Sequence, residues 1–193
     1  LLMVTEDQEE KEEFIQIINA NNELLLKLIN DILDLSKIEA GSVELKYEDF
    51  DLAVYFNELA ASMHRRVVNP QVRLVPVNPY ETCTVRLDKN RLAQILTNFV
   101  TNAIKYTSKG MIEMGYEKID ENIRLYVRDT GIGIPEDKKD KVFHRFEKLD
   151  EFAQGTGLGL SICKAIVEAC RGEIGFESEF DKGSLFWAVL PCQ

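Results

Sequence analysis

The feature that most constrains this chain is a seam of apolar residues near its start. Phe14, Ile18, Asn21, Leu25, Leu28, Ile32 and Leu35 recur at steps of four and three. That is the spacing of a coiled-coil face with one polar member. Thr5-Glu6-Asp7-Gln8 has the form of a capping box, and six acids between Glu6 and Glu13 suit the positive end of a helix dipole. Gly41 after Ala40 reads as a C-terminal cap. The spacing predicts a helix of about 35 residues, or ~52 Å at 1.5 Å per residue. A helix so long and so apolar on one side needs partner helices. The sequence offers no second helix of this kind, so the expectation is a bundle completed by preceding residues, a second subunit, or both. On this reading the chain is a piece of a longer one. Asn21 either fixes register in such a bundle or lies exposed near its loose end.

After Gly41 the texture changes. Residues 43–50 alternate like a strand, and Leu52 to Val67 reads as an amphipathic helix. Strands are predicted at 72–77 and 84–87, with Asp88 capping a helix from Lys89 to Thr107. Two further strands follow, Gly110 to Lys118 and Asn122 to Arg128; Ile123, Leu125 and Val127 share one face of the second. Residues 135–155 are polar and aperiodic, and a loop of about 20 residues in a compact domain is usually functional. A helix from Leu158 to Arg171, stopped by Gly172, and strands at 173–179 and 184–190 complete the pattern. The expected fold class is α+β, a two-layer α/β sandwich with helices over one face of a sheet, preceded by the long helix. The expected division is 1–42 and 43–193.

Composition removes several function classes. Acids outnumber Lys plus Arg by 33 to 23, a net charge of −10 in 193 residues, which disfavours a nucleic-acid binder. No apolar run approaches the ~18 residues of a membrane helix, so no direct membrane contact is expected. Cys83, Cys163, Cys170 and Cys192 include no C-x-x-C pair. They read as reduced core thiols rather than zinc ligands, with disulfides the alternative.

Three stretches carry chemistry. On the helix 89–107, Arg91, Asn98, Asn102 and Lys105 form one polar stripe. Asn is a poor interior helix residue, and amide oxygens beside a Lys suit a hard cation and phosphate; the bland alternative is a solvated face. Asp129-Thr130-Gly131-Ile132-Gly133 follows a strand directly. A carboxylate there can accept from an exocyclic amine while glycines admit a ligand close to the backbone, or the segment is an ordinary Asp-Gly turn. Gly155-Thr156-Gly157-Leu158-Gly159-Leu160 opens a helix. Free N–H groups and glycines make an anion cradle there, a lid hinge, or both. It is neither a P-loop nor a dinucleotide fingerprint.

In this order, the three stretches resemble the catalytic ATP-binding domain of sensor histidine kinases of two-component signalling. Arg91-Leu-Ala-Gln-Ile-Leu-Thr-Asn-Phe-Val-Thr-Asn-Ala-Ile-Lys-Tyr-Thr resembles that family's N box. Asp129-Thr-Gly-Ile-Gly-Ile resembles its G1 box, Phe143-His-Arg-Phe its F box, and Gly155-Thr-Gly-Leu-Gly-Leu its G2 box. Leu28-Ile-Asn-Asp-Ile-Leu-Asp-Leu-Ser-Lys-Ile-Glu-Ala-Gly is similar to the second helix of the dimerisation and histidine phosphotransfer domain. The resemblance implies a sandwich of the Bergerat ATP-binding type (the GHKL superfamily) behind a helix of a dimeric bundle. It implies ATP and Mg²⁺ as ligands, with Asn102 on the metal and Asn98 lining the phosphate side. Lys105 would contact phosphate, Tyr106 pack by the adenine, and Asp129 read its amine, with Gly131 and Gly133 allowing close approach. Residues 135–155 would be a mobile lid anchored by Phe143 and Phe146. Arg145 and Lys148 would reach the γ-phosphate. Gly155, Thr156, Gly157, Leu158 and Gly159 would fold over the triphosphate. Implied partners are a second copy through the bundle and a response-regulator receiver domain, and the implied location is cytoplasmic.

One element of the family pattern is missing. The phosphoacceptor H box is absent: the chain's two histidines, His64 and His144, stand in other settings. The expectation is a kinase core that binds ATP and phosphorylates a histidine supplied elsewhere. Position 98 carries Asn where similar ATPases carry a water-activating Glu, which favours kinase over hydrolase. The competing readings are a nucleotide-binding regulator without phosphotransfer and a coiled-coil dimeriser with a passive globular head.

Overall fold

The computed structural model describes residues 8–39, 44–147 and 156–192. The capping box before Gln8 and the Ala40-Gly41 cap therefore lie outside the described residues. Helix α1 (Gln8–Glu39) is 32 residues long. Then come β1 (Glu48–Asp51), α2 (Leu52–His64), β2 (Val72–Val77), β3 (Thr84–Leu87), α3 (Lys89–Tyr106), β4 (Gly110–Ile119) and β5 (Asn122–Asp129). A short 3₁₀ helix at Glu136–Lys141 leads to α4 (Gly159–Ala169), β6 (Glu173–Glu179) and β7 (Gly183–Pro191).

Five strands form one sheet in the order β2-β4-β5-β7-β6. Every pairing is antiparallel except β2 with β4. Pro76 sits in β2, an edge strand, where the missing N–H costs no interior ladder bond. Helices cover one face, as expected of a two-layer sandwich. Strands β1 and β3 do not join this sheet; they form a separate antiparallel ribbon. The strand expected at 43–50 is shorter, beginning at Glu48.

The register of the buried positions explains the layers. Ile123, Leu125 and Val127 point inward from β5 and meet Leu92, Ile95, Leu96, Phe99, Val100 and Ala103 of α3 in one core. Ile162, Cys163, Ile166 and Val167 of α4 extend it. Asp88 caps α3 by accepting from Asn90 N and Arg91 N, both at 3.0 Å. Asp51 caps α2 from Ala53 N at 2.9 Å and also accepts from Cys83 N at 3.0 Å, which ties the helix to the ribbon. Cys83, Cys163 and Cys170 are buried and Cys192 is half-buried, and none of the four is in a disulfide. On the open face of the sheet, Gly115, Tyr126, Trp187 and Gly175 lie in one cross-strand row. Each ring folds over its neighbouring glycine, so a Cβ at either glycine would strike an aromatic ring.

Helix α1 divides its seam. Leu35 is buried and Leu28 partly buried against the globular core, with α1 lying along α4. Ile18, Leu25 and Ile32 of the same seam remain 45–56% exposed, joined by Ile29 and Leu33. Asn21 is exposed, and its amide donates to Ile17 O of its own helix at 2.8 Å.

Candidate functional site

Between α3, the end of β5, the 3₁₀ helix and the start of α4 lies a cavity of about 660 Å³. That is within the usual range for a small-molecule site, roughly 300–1,000 Å³. Asn98, Asn102, Lys105 and Tyr106 line it from α3. Asp129 and Gly133 line it from β5 and the following turn, and Thr156, Gly157 and Gly159 from the segment opening α4. Stretches up to 61 residues apart in sequence thus share one wall of space: Asn98 Nδ2 donates to Gly159 O at 3.2 Å. A Cβ on Gly159 would stand 3.3 Å from Asn98 Oδ1.

Asp129 owes its position to strand alternation. It is the inward residue two beyond Val127, so the buried stripe of β5 ends in a carboxylate. Its exposure is only 7%. Gly131 N donates to Asp129 Oδ1 at 2.8 Å, and a second backbone donor is Ser184 N. Burial raises its pKa above the ordinary carboxylate value, and the two backbone N–H groups pull it partly back. A Cβ on Gly131 would sit 2.8 Å from Asp129 Oδ1 and 2.9 Å from Thr107 Oγ1, so glycine alone fits there. Thr107 Oγ1 itself is buried without a hydrogen-bond partner among the described residues. Thr107 does not itself line the cavity, so this unmet hydroxyl lies behind the wall at Gly131.

Cations converge on the same space. Lys105 Nζ lies 4.9 Å from the centroid of the Tyr106 ring, which orients the ammonium. Lys138 and Lys141 of the 3₁₀ helix also line the cavity. The sequence reading missed both, although the six residues before Val142, Glu136-Asp-Lys-Lys-Asp-Lys141, are all charged and three of them are Lys. Leu24 of α1 lines the cavity too, a contact that no local pattern announces.

The lid residues separate. Phe143 packs edge-on against Phe176, with centroids 5.8 Å apart. Phe146 is 65% exposed, so among the described residues its ring is no anchor; its backbone is, since Phe146 N donates to Gly157 O at 2.9 Å. Gly157 has φ +71°, and a Cβ there would lie 2.8 Å from the Phe146 carbonyl carbon. Arg145 is exposed and does not line the cavity, and Leu158 is fully buried in the core below it. Gly131 stands behind the wall, through Asp129. Lys148 and Gly155 lie outside the described residues. Arg91, at the head of the polar stripe, turns away: its Nη1 meets Asp34 Oδ2 of α1 at 3.3 Å.

The donor set fits a nucleotide with a hard cation. The cavity is lined by a buried carboxylate (Asp129), the ammonium-bearing Lys105, Lys138 and Lys141, and the backbone of Gly133, Gly157 and Gly159. Among the described residues there is no cluster of three or more His, Cys, Asp or Glu that could cage a metal. Asn102, which lines the cavity, can offer one neutral oxygen to a Mg²⁺ held mainly by phosphates.

Comparison with known proteins places the chain among relatives. Residues 87–193 match the family described as histidine kinase-, DNA gyrase B- and HSP90-like ATPase. Residues 1–41 match the His Kinase A (phospho-acceptor) domain. Hybrid signal transduction histidine kinase L of Dictyostelium discoideum is 37% identical over 98% of this chain and 12% of its own length. The crystal structure of full-length ShkA in complex with AMPPNP superposes with a TM-score of 0.82 at 29% identity, covering 99% of this chain and 41% of that one. Histidine kinase ThkA in complex with response regulator protein TrrA superposes with a TM-score of 0.75 at 27% identity, over 98% of this chain and 53% of that one. The chain spans an eighth of the Dictyostelium protein and about a quarter of the circadian histidine kinase CikA of Synechococcus elongatus.

Proposed function

This chain belongs to the family of histidine kinase-, DNA gyrase B- and HSP90-like ATPases, and from that premise we propose that it is the ATP-dependent kinase core of a sensor histidine kinase. The core takes the γ-phosphoryl group of ATP to a histidine outside residues 1–193, from which it passes to an aspartate of a receiver domain. The observation that carries this reading is the convergence of Asn98, Asn102, Lys105, Asp129, Gly157 and Gly159 on one cavity.

Each role follows from chemistry at that place. Asp129 accepts the adenine amine while Gly131 keeps the backbone clear, and Tyr106 flanks the base. Lys105 meets phosphate, and Asn102 gives Mg²⁺ an amide oxygen. The metal, when bound, neutralises charge developing on the transferred group. Asn98 lines the phosphate side, its amide tied to Gly159 O. It offers no carboxylate to activate water, so the phosphoryl group is reserved for the acceptor. Thr156, Gly157 and Gly159 stand beside the phosphate side of the cavity, where a glycine-rich backbone can close on a triphosphate. Phosphoryl transfer needs such positioning and charge more than covalent chemistry.

The exposed apolar side of α1 supports dimerisation: Leu25, Ile29, Ile32 and Leu33 are each 46–56% exposed. A second copy burying them would complete a bundle. Among the described residues no helix is long and apolar enough to cross a membrane, and we place the core on the cytoplasmic side, where ATP is supplied. A receiver domain as partner is supported by the ThkA complex with its response regulator.

The test is a phosphotransfer assay with γ-labelled ATP and a separate helical-bundle domain carrying the acceptor histidine. Acid-labile, alkali-stable label on that domain is expected. Binding of Mg-ATP with no label would leave a regulatory nucleotide module instead, and no binding at all would sink the reading.

A further inference from the structure

The thiol of Cys163, on the inner side of α4, has no part in the chemistry above. Cys163 is fully buried. Its Sγ stands 3.5 Å from Asn98 Nδ2 and 4.0 Å from Ile95 O, both of α3. Asn98 donates to the sulfur, and the thiol donates to the Ile95 carbonyl, so one small side chain both gives and receives. The second hydrogen of the Asn98 amide goes to Gly159 O at 3.2 Å. Both N–H bonds of that amide are therefore spent on α4. Asn98 is 9% exposed and lines the cavity, and the amide atom it leaves for a ligand is Oδ1, an acceptor. A planar amide has nearly the same shape turned over. Turned over here, Oδ1 would face the Gly159 carbonyl, acceptor against acceptor, and the sulfur would lose its donor.

We propose that Cys163 is a positioning residue of the site: its sulfur holds the Asn98 amide in the orientation that presents oxygen, not nitrogen, to the phosphate end of a nucleotide. The inference rests on the nucleotide reading of the cavity. Phosphate oxygens and an amide oxygen are all acceptors, so they sit together only across a cation or a water that donates to both. The orientation of Asn98 thereby ties nucleotide affinity to the metal. Asn102, one turn further along α3, lines the same cavity, so the two amides share one face of the helix. Cys163 does not line the cavity, and it acts through Asn98. A thiol suits the place because it is a small hydrophobe with a weak donor and acceptor. It fits among Ile162, Ile166 and Val167 of the apolar core, where a stronger polar group would cost more to bury.

The experiment is calorimetric titration of Mg-ATP, and of ATP in chelator, into the unmodified chain, Cys163→Ala and Cys163→Ser. Alanine removes the sulfur; serine returns a group that accepts and donates. Cys163→Ala is expected to lose about 2- to 10-fold in Mg-ATP affinity, the net worth of one hydrogen bond, while Cys163→Ser keeps most of it. ATP in chelator is expected to bind all three alike. Both variants lose the packing of the sulfur and should melt lower, so melting follows shape while the metal-dependent part of binding follows the acceptor. Unchanged Mg-ATP affinity in Cys163→Ala, or equal losses in the two variants, would overturn the positioning role and leave the nucleotide reading standing. A loss in Cys163→Ala that persists in chelator would overturn it too. No Mg-ATP binding by the unmodified chain would overturn the nucleotide reading and this inference with it. Should Cys163→Ala fail to fold, NMR of the unmodified chain decides. The Nδ2 hydrogens of Asn98 are expected to exchange with solvent far more slowly than those of the exposed Asn90, and exchange at the Asn90 rate would refute the anchoring.

Discussion

Replacing Asp129 by Asn separates reading of the base from support of the fold. The two side chains have the same shape, so the core beneath Val127 is undisturbed. What changes is charge. As a carboxylate, Asp129 offers only acceptors, and its free lone pairs face the cavity while Gly131 N and Ser184 N occupy others. A hydrogen bond from a neutral amine to a charged acceptor is worth about 1.5–3 kcal/mol. At ~1.4 kcal/mol per tenfold, Asp129→Asn should weaken Mg-ATP binding about 10- to 150-fold. Purine riboside triphosphate lacks the exocyclic amine, so its affinity should change far less. Without nucleotide the variant should melt at the same temperature or slightly higher. The folded-state pKa of Asp129 is raised by burial, so ionising it costs stability once pH rises through that value, and Asn carries no such cost. The same shift sets a pH dependence. ATP affinity of the unmodified chain should fall on acidification in the range just above the ordinary carboxylate pKa, where Asp129 takes up a proton. The Asn variant should lack that step. Calorimetry with both nucleotides, repeated across pH, measures all of this. Equal losses for the two nucleotides would show that the carboxylate does not read the amine, and a pH step surviving in the variant would assign it to another group.

Other perturbations probe separate parts of the site and the helix. Asn102→Ala should weaken Mg-ATP binding by about 1–3 kcal/mol, while binding of ATP in chelator should be the same for both proteins; a loss that persists without metal would remove Asn102 from the ion. Gly157→Ala forces a side chain into φ +71° against the Phe146 backbone. A left-handed non-glycine residue costs roughly 1–2 kcal/mol, and because the folded chain already holds this conformation the melting temperature should fall by a few degrees, as thermal unfolding would show; an unchanged melting temperature would mean that the segment relaxes around the new side chain. Leu25→Lys combined with Ile32→Lys places charge on the open side of α1 and should give a monomer by analytical ultracentrifugation, with ATP affinity retained. A dimer that persists would put the interface elsewhere.

Much of the site could be read along the chain because its signals are local. Strand alternation alone brings Asp129 to the same face as Ile123, Leu125 and Val127. Helical periodicity alone gathers Asn98, Asn102 and Lys105 on one side of α3. Asp88 before Lys89 announces its cap, and the glycine run announces a close approach. These depend on backbone repeats of two and 3.6 residues, which any segment carries within itself. The strand boundaries blurred at 43–50, where alternation continues past the residues that find a partner; only Glu48–Asp51 pair with β3.

Contacts between distant segments obey no such repeat. Arg91 shares the stripe of Asn98 and Asn102, yet it leaves the cavity for Asp34, 57 positions away. Thr156 finds Asp31 across 125 positions. Phe146 resembles a lid anchor in sequence, but its ring faces solvent and its amide makes the tie. The seam of α1 predicts that the helix must be covered; it does not say that Leu28 and Leu35 go to the chain's own globular core while Leu25 and Ile32 stay open. Periodicity marks which residues must escape water. Which surface receives them depends on shape and charge complementarity summed over the assembled core, a quantity no single segment contains.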